Sequence, residues 1–232
     1  MRTGNFSSSE IYKLMANDKS GGLGKPALTY IQEKNFERKL GRSLSSESFS
    51  YPTSWGNCIE GYVHEQLGFE YKLASKERLT NPNIPYHTGA PDLITTDFVS
   101  DIKCPFTMKS FCELSESIAI NELENDYPEY FWQLCSNAIL TDKNFAELIV
   151  FCPMFSEFEA IAEYIDSMDA KEKIEYEWLY NNIVFDRKNK LPYLTETSTY
   201  NRFAKLRFEV TAEMKQNLTD RILLAGKLLI NI

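Results

Sequence analysis

The chain has 232 residues, of which 43% are hydrophobic, 25% charged and 13% aromatic. That balance excludes a disordered or low-complexity chain, and the length allows one large domain that buries its core without covalent staples. The formal net charge of −8 is unevenly spread: residues 1–45 hold eight Lys/Arg against four Asp/Glu, while residues 111–170 hold thirteen Asp/Glu against a single Lys143.

Ser7 and Glu10 have the S-x-x-E spacing of a capping box, which predicts a helix over 8–17. Gly21-Gly22-Leu23-Gly24-Lys25-Pro26 reads as a loop. A second helix is expected from Pro26 to about Gly41, with Pro in its first turn and Gly past its end. A third runs from about Thr53 to Leu67. Residues 69–74 and the short β-branched and aromatic runs around 84–104 read as an antiparallel meander, with Thr95-Thr96-Asp97 as a turn. Helical periodicity returns over 108–123 and 128–140. A buried strand is expected at 147–154, an acidic helix at 157–169, a strand at 202–210 and a closing amphipathic helix at 211–230. This order predicts an α/β fold with a mixed central sheet flanked by helices. No linker divides the chain, so 1–232 reads as one domain: a basic N-terminal part (1–45), a core (50–153) and a C-terminal elaboration (154–232).

No apolar run approaches the ~20 residues of a membrane span, and the N-terminus lacks the apolar stretch of a secretory signal. Five cysteines, an odd number without a CxxC pair, predict free thiols in a reducing, cytoplasmic setting.

The chemistry concentrates in Gly89-Ala90-Pro91-Asp92-Leu93-Ile94 and Ser100-Asp101-Ile102-Lys103-Cys104-Pro105. Asp101 and Lys103 are two apart on one strand and share a face. Pairing through the 95–97 turn brings Asp92 beside them. Two carboxylates and an ammonium at one sheet end suit Mg²⁺, with Mn²⁺ as a substitute, and an attacking water. The bland alternative is a solvated cross-strand ion pair.

The wider context favours the chemical reading. Pro91-Asp92 followed by Asp101-Ile102-Lys103 resembles the PD-(D/E)xK nuclease signature. The string Asp101-Ile102-Lys103-Cys104-Pro105 resembles the bacteriophage lambda exonuclease family, which includes viral alkaline exonucleases and YqaJ-like recombinases. Trp55-Gly56 and Glu60 resemble that family's W-G-x-x-x-E helix, and Tyr130 with Gln133 its Tyr-x-x-Gln helix. Phe6-Ser7-Ser8-Ser9-Glu10 resembles its N-terminal segment, which registers the phosphate-holding Ser on Ser9 and an Arg on Arg2. The likeness runs from about Arg2 to Pro153. Asp101 stands where a Glu is common, Leu93 where a Gly follows Asp, and Cys135 where a second Gln is common.

The resemblance implies a restriction-endonuclease-like core. It further implies a metal-dependent exonuclease acting on duplex DNA ends, 5′ to 3′, in phage-type recombination. A homotrimer and a single-strand annealing protein are the implied partners, with no membrane partner. Metal ligands would be Asp92, Asp101, the Ile102 carbonyl and Glu60, directly or through water. Glu60, Asp92, Asp101, Lys103 and Gln133 would form the catalytic set, with Arg2 and Ser9 on a 5′-phosphate. Tyr130 and Gln133 can alternatively be helix packing, and Ser9 a capping neighbour. His64, one turn after Glu60, reads as support for the site or as plain surface. His87 reads as structural or DNA-facing. Arg187-Lys188-Asn189-Lys190 is a basic loop that could meet a DNA backbone or only solvent. The rival readings are an endonuclease of the same superfamily and a non-catalytic DNA-end-binding module.

Overall fold

The structure is a computed structural model, and it describes residues 3–44, 49–68, 71–73, 78–119, 121–185 and 188–230. Its organising element is the run Phe145–Phe151 (β7), apolar along nearly its whole length. Such a strand needs cover on both faces. Ala146, Leu148 and Val150 enter one core cluster, and Ile149 and Phe151 enter the other. β7 lies fourth in a five-stranded mixed sheet. Its members in sheet order are Lys72–Leu73 (β2), Leu93–Ile94 (β5), Phe98–Lys103 (β6), β7 and Phe203–Glu209 (β8). β5 and β6 are antiparallel, β6 and β7 parallel, and β7 and β8 antiparallel.

The parallel step demands a crossover. It is made by three helices: Met108–Ala119 (α3), Leu123–Asp126 (α4) and Pro128–Leu140 (α5). α3 and α5 cover one face of the sheet. The closing helix Ala212–Gly226 (α8) packs outside α5. The opposite face is covered by Tyr51–Gln66 (α2), Phe158–Ser167 (α6) and Ala170–Val184 (α7). β8 is an edge strand. Its solvent side carries Lys205 and Arg207, the kind of charge that discourages edge-to-edge pairing. Arg207 also bonds the buried Glu147 at 2.9 Å and stacks on Phe98.

The helix expected at 26–41 is Lys25–Leu40 (α1), ended by Gly41 in the left-handed region at φ 64°. Gly is the residue that adopts this C-cap conformation without strain. Within the run around 84–104, the two strands joined by the 95–97 turn are present as β5 and β6, and the helix expected at 128–140 is α5. Four expectations need correction. The N-terminal helix is a 3-10 helix over Ser8–Met15, and Ser7 makes no capping bond; Glu10 instead pairs with Lys13 at 2.6 Å. The meander is split between two sheets. Ile84–Gly89 (β4) pairs with Leu79–Asn81 (β3) and, in parallel, with Phe6–Ser7 (β1) in a separate three-stranded sheet. The helical span at 108–123 breaks into α3 and the short α4. Finally, α7 has no counterpart in the expected order, because only Leu179 and Ile183 of its fifteen residues are buried and its apolar stripe is weak.

All five cysteines are free. Cys58, Cys104, Cys135 and Cys152 are buried and Cys112 is half-buried. No helix among the described residues is long and apolar enough to cross a membrane.

Candidate active site

The β5–β6 hairpin places the first two acids. Thr95 closes its turn: the Thr95 amide and hydroxyl both donate to the Phe98 carbonyl at 2.9 Å. Its Oγ1 accepts from the amides of Asp97 and Phe98 at 3.2 and 3.0 Å. Leu93 then pairs with Ser100, so the next residue pair along the ladder is Asp92 opposite Asp101. Asp92 Oδ2 accepts the Ile102 amide at 2.8 Å, which pins the two strand ends together.

Asp101 and Lys103 alternate with Ile102 and therefore share the sheet face covered by α5. Asp101 is only 1% exposed. Gln133 Nε2 of α5 donates to its Oδ1 at 2.8 Å, and the Lys103 ammonium forms an ion pair with its Oδ2. Tyr130, one turn before Gln133, sets its ring 5.2 Å from Lys103 Nζ. Glu60 arrives from α2. Its helix is fixed by Ser50, whose hydroxyl accepts the Thr53 amide, and by the buried Trp55.

Two clefts meet at Glu60. The first, of about 500 Å³, runs past Glu60, His64 and Asp92 to Tyr164 and Tyr176. The second, of about 490 Å³, runs past Glu60 and Lys103 to Phe106, Tyr127 and Tyr130. Electrostatics join the four charged groups. Burial pushes the Glu60 carboxyl up to about 7, with Lys103 opposing and Asp101 adding to the rise. Burial also holds Asp92 well above the usual carboxylate range, and the charges of Asp101 and Glu60 add to it. Lys103 is drawn down by burial, but Asp101, Asp92 and Glu60 outweigh that and raise it above its ordinary value. Crowded carboxylates resist ionisation in this way.

The structure therefore brings Glu60, Asp92, Asp101, Lys103, Gln133 and Tyr130 together, with His64 on the wall of the first cleft. Ile102 supplies its amide to Asp92, while its side chain is core. Ser9 is not brought in. It is exposed on the 3-10 helix, its Oγ lies 3.3 Å from that of Ser7, and it lines neither cleft. Arg2 and Arg187 lie outside the described residues. His87 is buried, with Nε2 2.7 Å from Ser136 Oγ, and Ser136 Oγ lies 2.8 Å from Ser8 Oγ. Its role is to join β4, α5 and the N-terminal 3-10 helix. The basic N-terminal part is partly consumed internally: Lys34 pairs with Glu37 at 3.1 Å, and Arg38 donates to the Gly4 and Ile230 carbonyls.

Sequence reasoning missed Tyr164, Met168, Glu172 and Tyr176, which wall the first cleft. A signal for them exists in Gly61. A Cβ there would meet the Tyr164 hydroxyl at 2.2 Å, and a glycine inside a helix marks such close approaches.

A divalent cation suits this donor set by chemistry. Carboxylate oxygens are hard ligands, and a cation would offset the burial that raises Glu60 and Asp92 together with the repulsion that Asp101 adds to both. Asp101 Oδ2 is buried and has no hydrogen-bond partner beyond the Lys103 ion pair. Among the described residues, no three His, Cys, Asp or Glu side chains yet stand in a ligand arrangement.

No protein-family model matches the chain, and no curated protein matches it by sequence. Solved structures do match. An alkaline exonuclease from Laribacter hongkongensis superposes with a TM-score of 0.58 at 14% identity, over 98% of this chain and 91% of that one. The same exonuclease in complex with dAMP gives the same values. A phage-related exonuclease from Haemophilus somnus 129PT superposes with a TM-score of 0.62 at 17% identity, over 97% and 92%. The mixed sheet, its covering helices and the hairpin that carries Asp92 and Asp101 thus build the fold of these alkaline and phage-related exonucleases.

Proposed function

We propose that this chain is a metal-dependent DNA exonuclease that hydrolyses linear duplex DNA from a 5′-phosphorylated end. The observation that carries this reading is the convergence of Asp92, Asp101, Lys103 and Glu60 at the junction of two clefts. The exonuclease fold supports it. A binding module would have no use for carboxylates crowded where DNA phosphates must come.

Asp92, Asp101, the Ile102 carbonyl and Glu60 would hold Mg²⁺, or Mn²⁺ in its place. When bound, the ion supplies Lewis-acid polarisation and neutralises charge around phosphorus. The chain's own groups do the rest. Gln133 fixes the rotamer of Asp101 by its hydrogen bond. Without a cation, burial draws the Lys103 ammonium down, but the carboxylate neighbours outweigh it and raise the group above its ordinary value; in the reaction Lys103 would orient or deprotonate the attacking water and steady charge on the phosphoryl group. His64 borders the path of substrate in the first cleft. Arg2 would receive the 5′-phosphate by its bidentate fork. The proposed setting is phage-type recombination in the reducing cytoplasm of a bacterial host, with a homotrimer and a single-strand annealing protein as partners.

The test uses linear duplex DNA with and without a 5′-phosphate, in Mg²⁺ or EDTA, for the wild type, Lys103→Ala and Asp92→Ala. Mononucleotide release is expected only in Mg²⁺, faster from the phosphorylated end, and reduced at least about 100-fold in both variants. Cutting of closed circular DNA would move the reading to an endonuclease. End binding without release in Mg²⁺ would move it to a non-catalytic module.

A further inference from the structure

Two groups hold the Lys103 ammonium. Among the described residues, its one ion pair is with Asp101 Oδ2. Its second partner is the ring of Tyr130, whose centroid lies 5.2 Å from Nζ. Tyr130 is itself braced. Tyr127 stacks on it at 5.7 Å with an interplanar angle of 6°. Both rings line the second cleft and pack against the core cluster on the α5 side of the sheet.

The backbone fixes where Tyr127 stands. Pro128 follows it, and the residue before a proline is kept out of the α region. Tyr127 accordingly sits at φ −135° and ψ 61°, between α4 and α5. Its carbonyl accepts the amides of Tyr130 and Phe131 at 3.0 and 3.1 Å, so the residue that starts α5 also carries the second ring. Positions three apart on a helix are neighbours, which sets that ring beside Tyr130.

The two holders of Lys103 respond differently to a divalent cation. An ion bound by Asp101 would compete with the ammonium for the same carboxylate oxygens. The Tyr130 ring is neutral and competes poorly for a hydrated ion, so its attraction for the ammonium persists. A second ring stacked on Tyr130 limits how far it can turn away.

We infer that Tyr127 is a positioning residue: stacked on Tyr130, it keeps that ring beside the Lys103 ammonium, so that Lys103 stays in place when a cation takes Asp101. The inference deepens the nuclease reading and rests on it for the part Lys103 plays in the reaction, while the placement of Lys103 is measured without catalysis.

The test uses the full chain with ¹³C at lysine Cε, observed by NMR in EDTA and in Mg²⁺, beside steady-state digestion of linear duplex DNA. Lys103→Arg assigns the Lys103 signal, which the Tyr130 ring displaces from the position of an exposed lysine. The compared chains are the wild type, Tyr127→Leu, Tyr127→Phe and Tyr130→Leu. Melting curves check folding, and Tyr127→Met replaces Tyr127→Leu if that variant melts early. In Mg²⁺ the signal is expected to stay displaced in the wild type and Tyr127→Phe. It is expected to move part of the way to the exposed position in Tyr127→Leu and all the way in Tyr130→Leu. For Tyr127→Leu, kcat is expected to fall about fivefold at unchanged KM, and for Tyr127→Phe to hold within about twofold. A Lys103 signal that ignores Tyr127→Leu would overturn the inference. So would a rise in KM at constant kcat, which would put the ring on DNA instead, or an equal loss in Tyr127→Phe, which would assign the effect to the hydroxyl. The expected Lys103 displacements in a chain that digests nothing support the placement and overturn the nuclease reading instead.

Discussion

At Asp92 a carboxylate is kept where its charge is unwelcome. Burial and the neighbouring Asp101 and Glu60 all oppose its ionisation. Asp92→Asn removes that repulsion and keeps an oxygen for the Ile102 amide. The variant is expected to melt about 2–4 °C above the wild type in EDTA and to digest nothing, a trade of function for stability. Calorimetry beside the digestion assay checks both halves. His87 shows a different linkage. Burial lowers its pKa to about 4, whereas in the unfolded chain it titrates near 6.5. Between those values the unfolded chain binds more protons. The stabilisation is therefore full above about pH 6.5 and is lost as pH falls toward 4, by about 3 kcal/mol in all. Denaturant unfolding at stepped pH is expected to show that loss, and His87→Asn to lack it; identical slopes in the two chains would remove His87 from the acid response. The juxtaposition of Asp92, Asp101 and Lys103 was legible in the sequence because strand alternation and a Thr-based turn are local rules. Tyr164 and Tyr176 were not, because they reach the cleft only through the docking of α6 and α7 on α2, of which the sequence carries no trace beyond the helical Gly61.

The elements around the site are tied by few, long-range bonds. The Arg221 guanidinium on α8 donates to the carbonyls of Leu14 and Ala16, at 2.8 and 2.7 Å, and also reaches Gly22 at 3.3 Å. One planar fork thereby terminates the N-terminal 3-10 helix and anchors the following loop. Lys cannot reproduce that geometry. Arg221→Lys is expected to lose about 2 kcal/mol of stability and to open the segment 16–24 to proteases. Unchanged cleavage there would mean that the loop holds itself. The position of α1 was legible because Pro26 and Gly41 punctuate it. The 3-10 character of Ser8–Met15 was not, because its C-terminal end is held by Arg221, more than two hundred residues away. The split of the strands into two sheets was equally hidden: β4 finds its parallel partner in β1, near the start of the chain.

On the scale of the whole molecule, the C-terminal third is structural as well as cleft-forming. β8 pairs with β7 from Phe145↔Glu209 to Phe151↔Phe203, and α8 covers α5. Removing residues 203–230 would leave the apolar β7 as an open edge and strip Arg207 from the buried Glu147. That truncated chain is expected to lose its cooperative thermal transition; a sharp transition at an unchanged temperature would contradict this role. The sequence resemblance stops near Pro153, yet the shared fold runs across nearly the whole chain, because packing restrains shape more tightly than it restrains residue identity.

Glu60 belongs to both clefts, so a strand that lies in the two of them must pass it. If the proposed nuclease severs the strand there, one part would lie along the first cleft and the other along the second. The short part could then depart while the long part stays seated, and the next bond would move up to the same carboxylates. Repeated cutting without letting go would in that case follow from the shape of the passage, as a ratchet follows from its teeth.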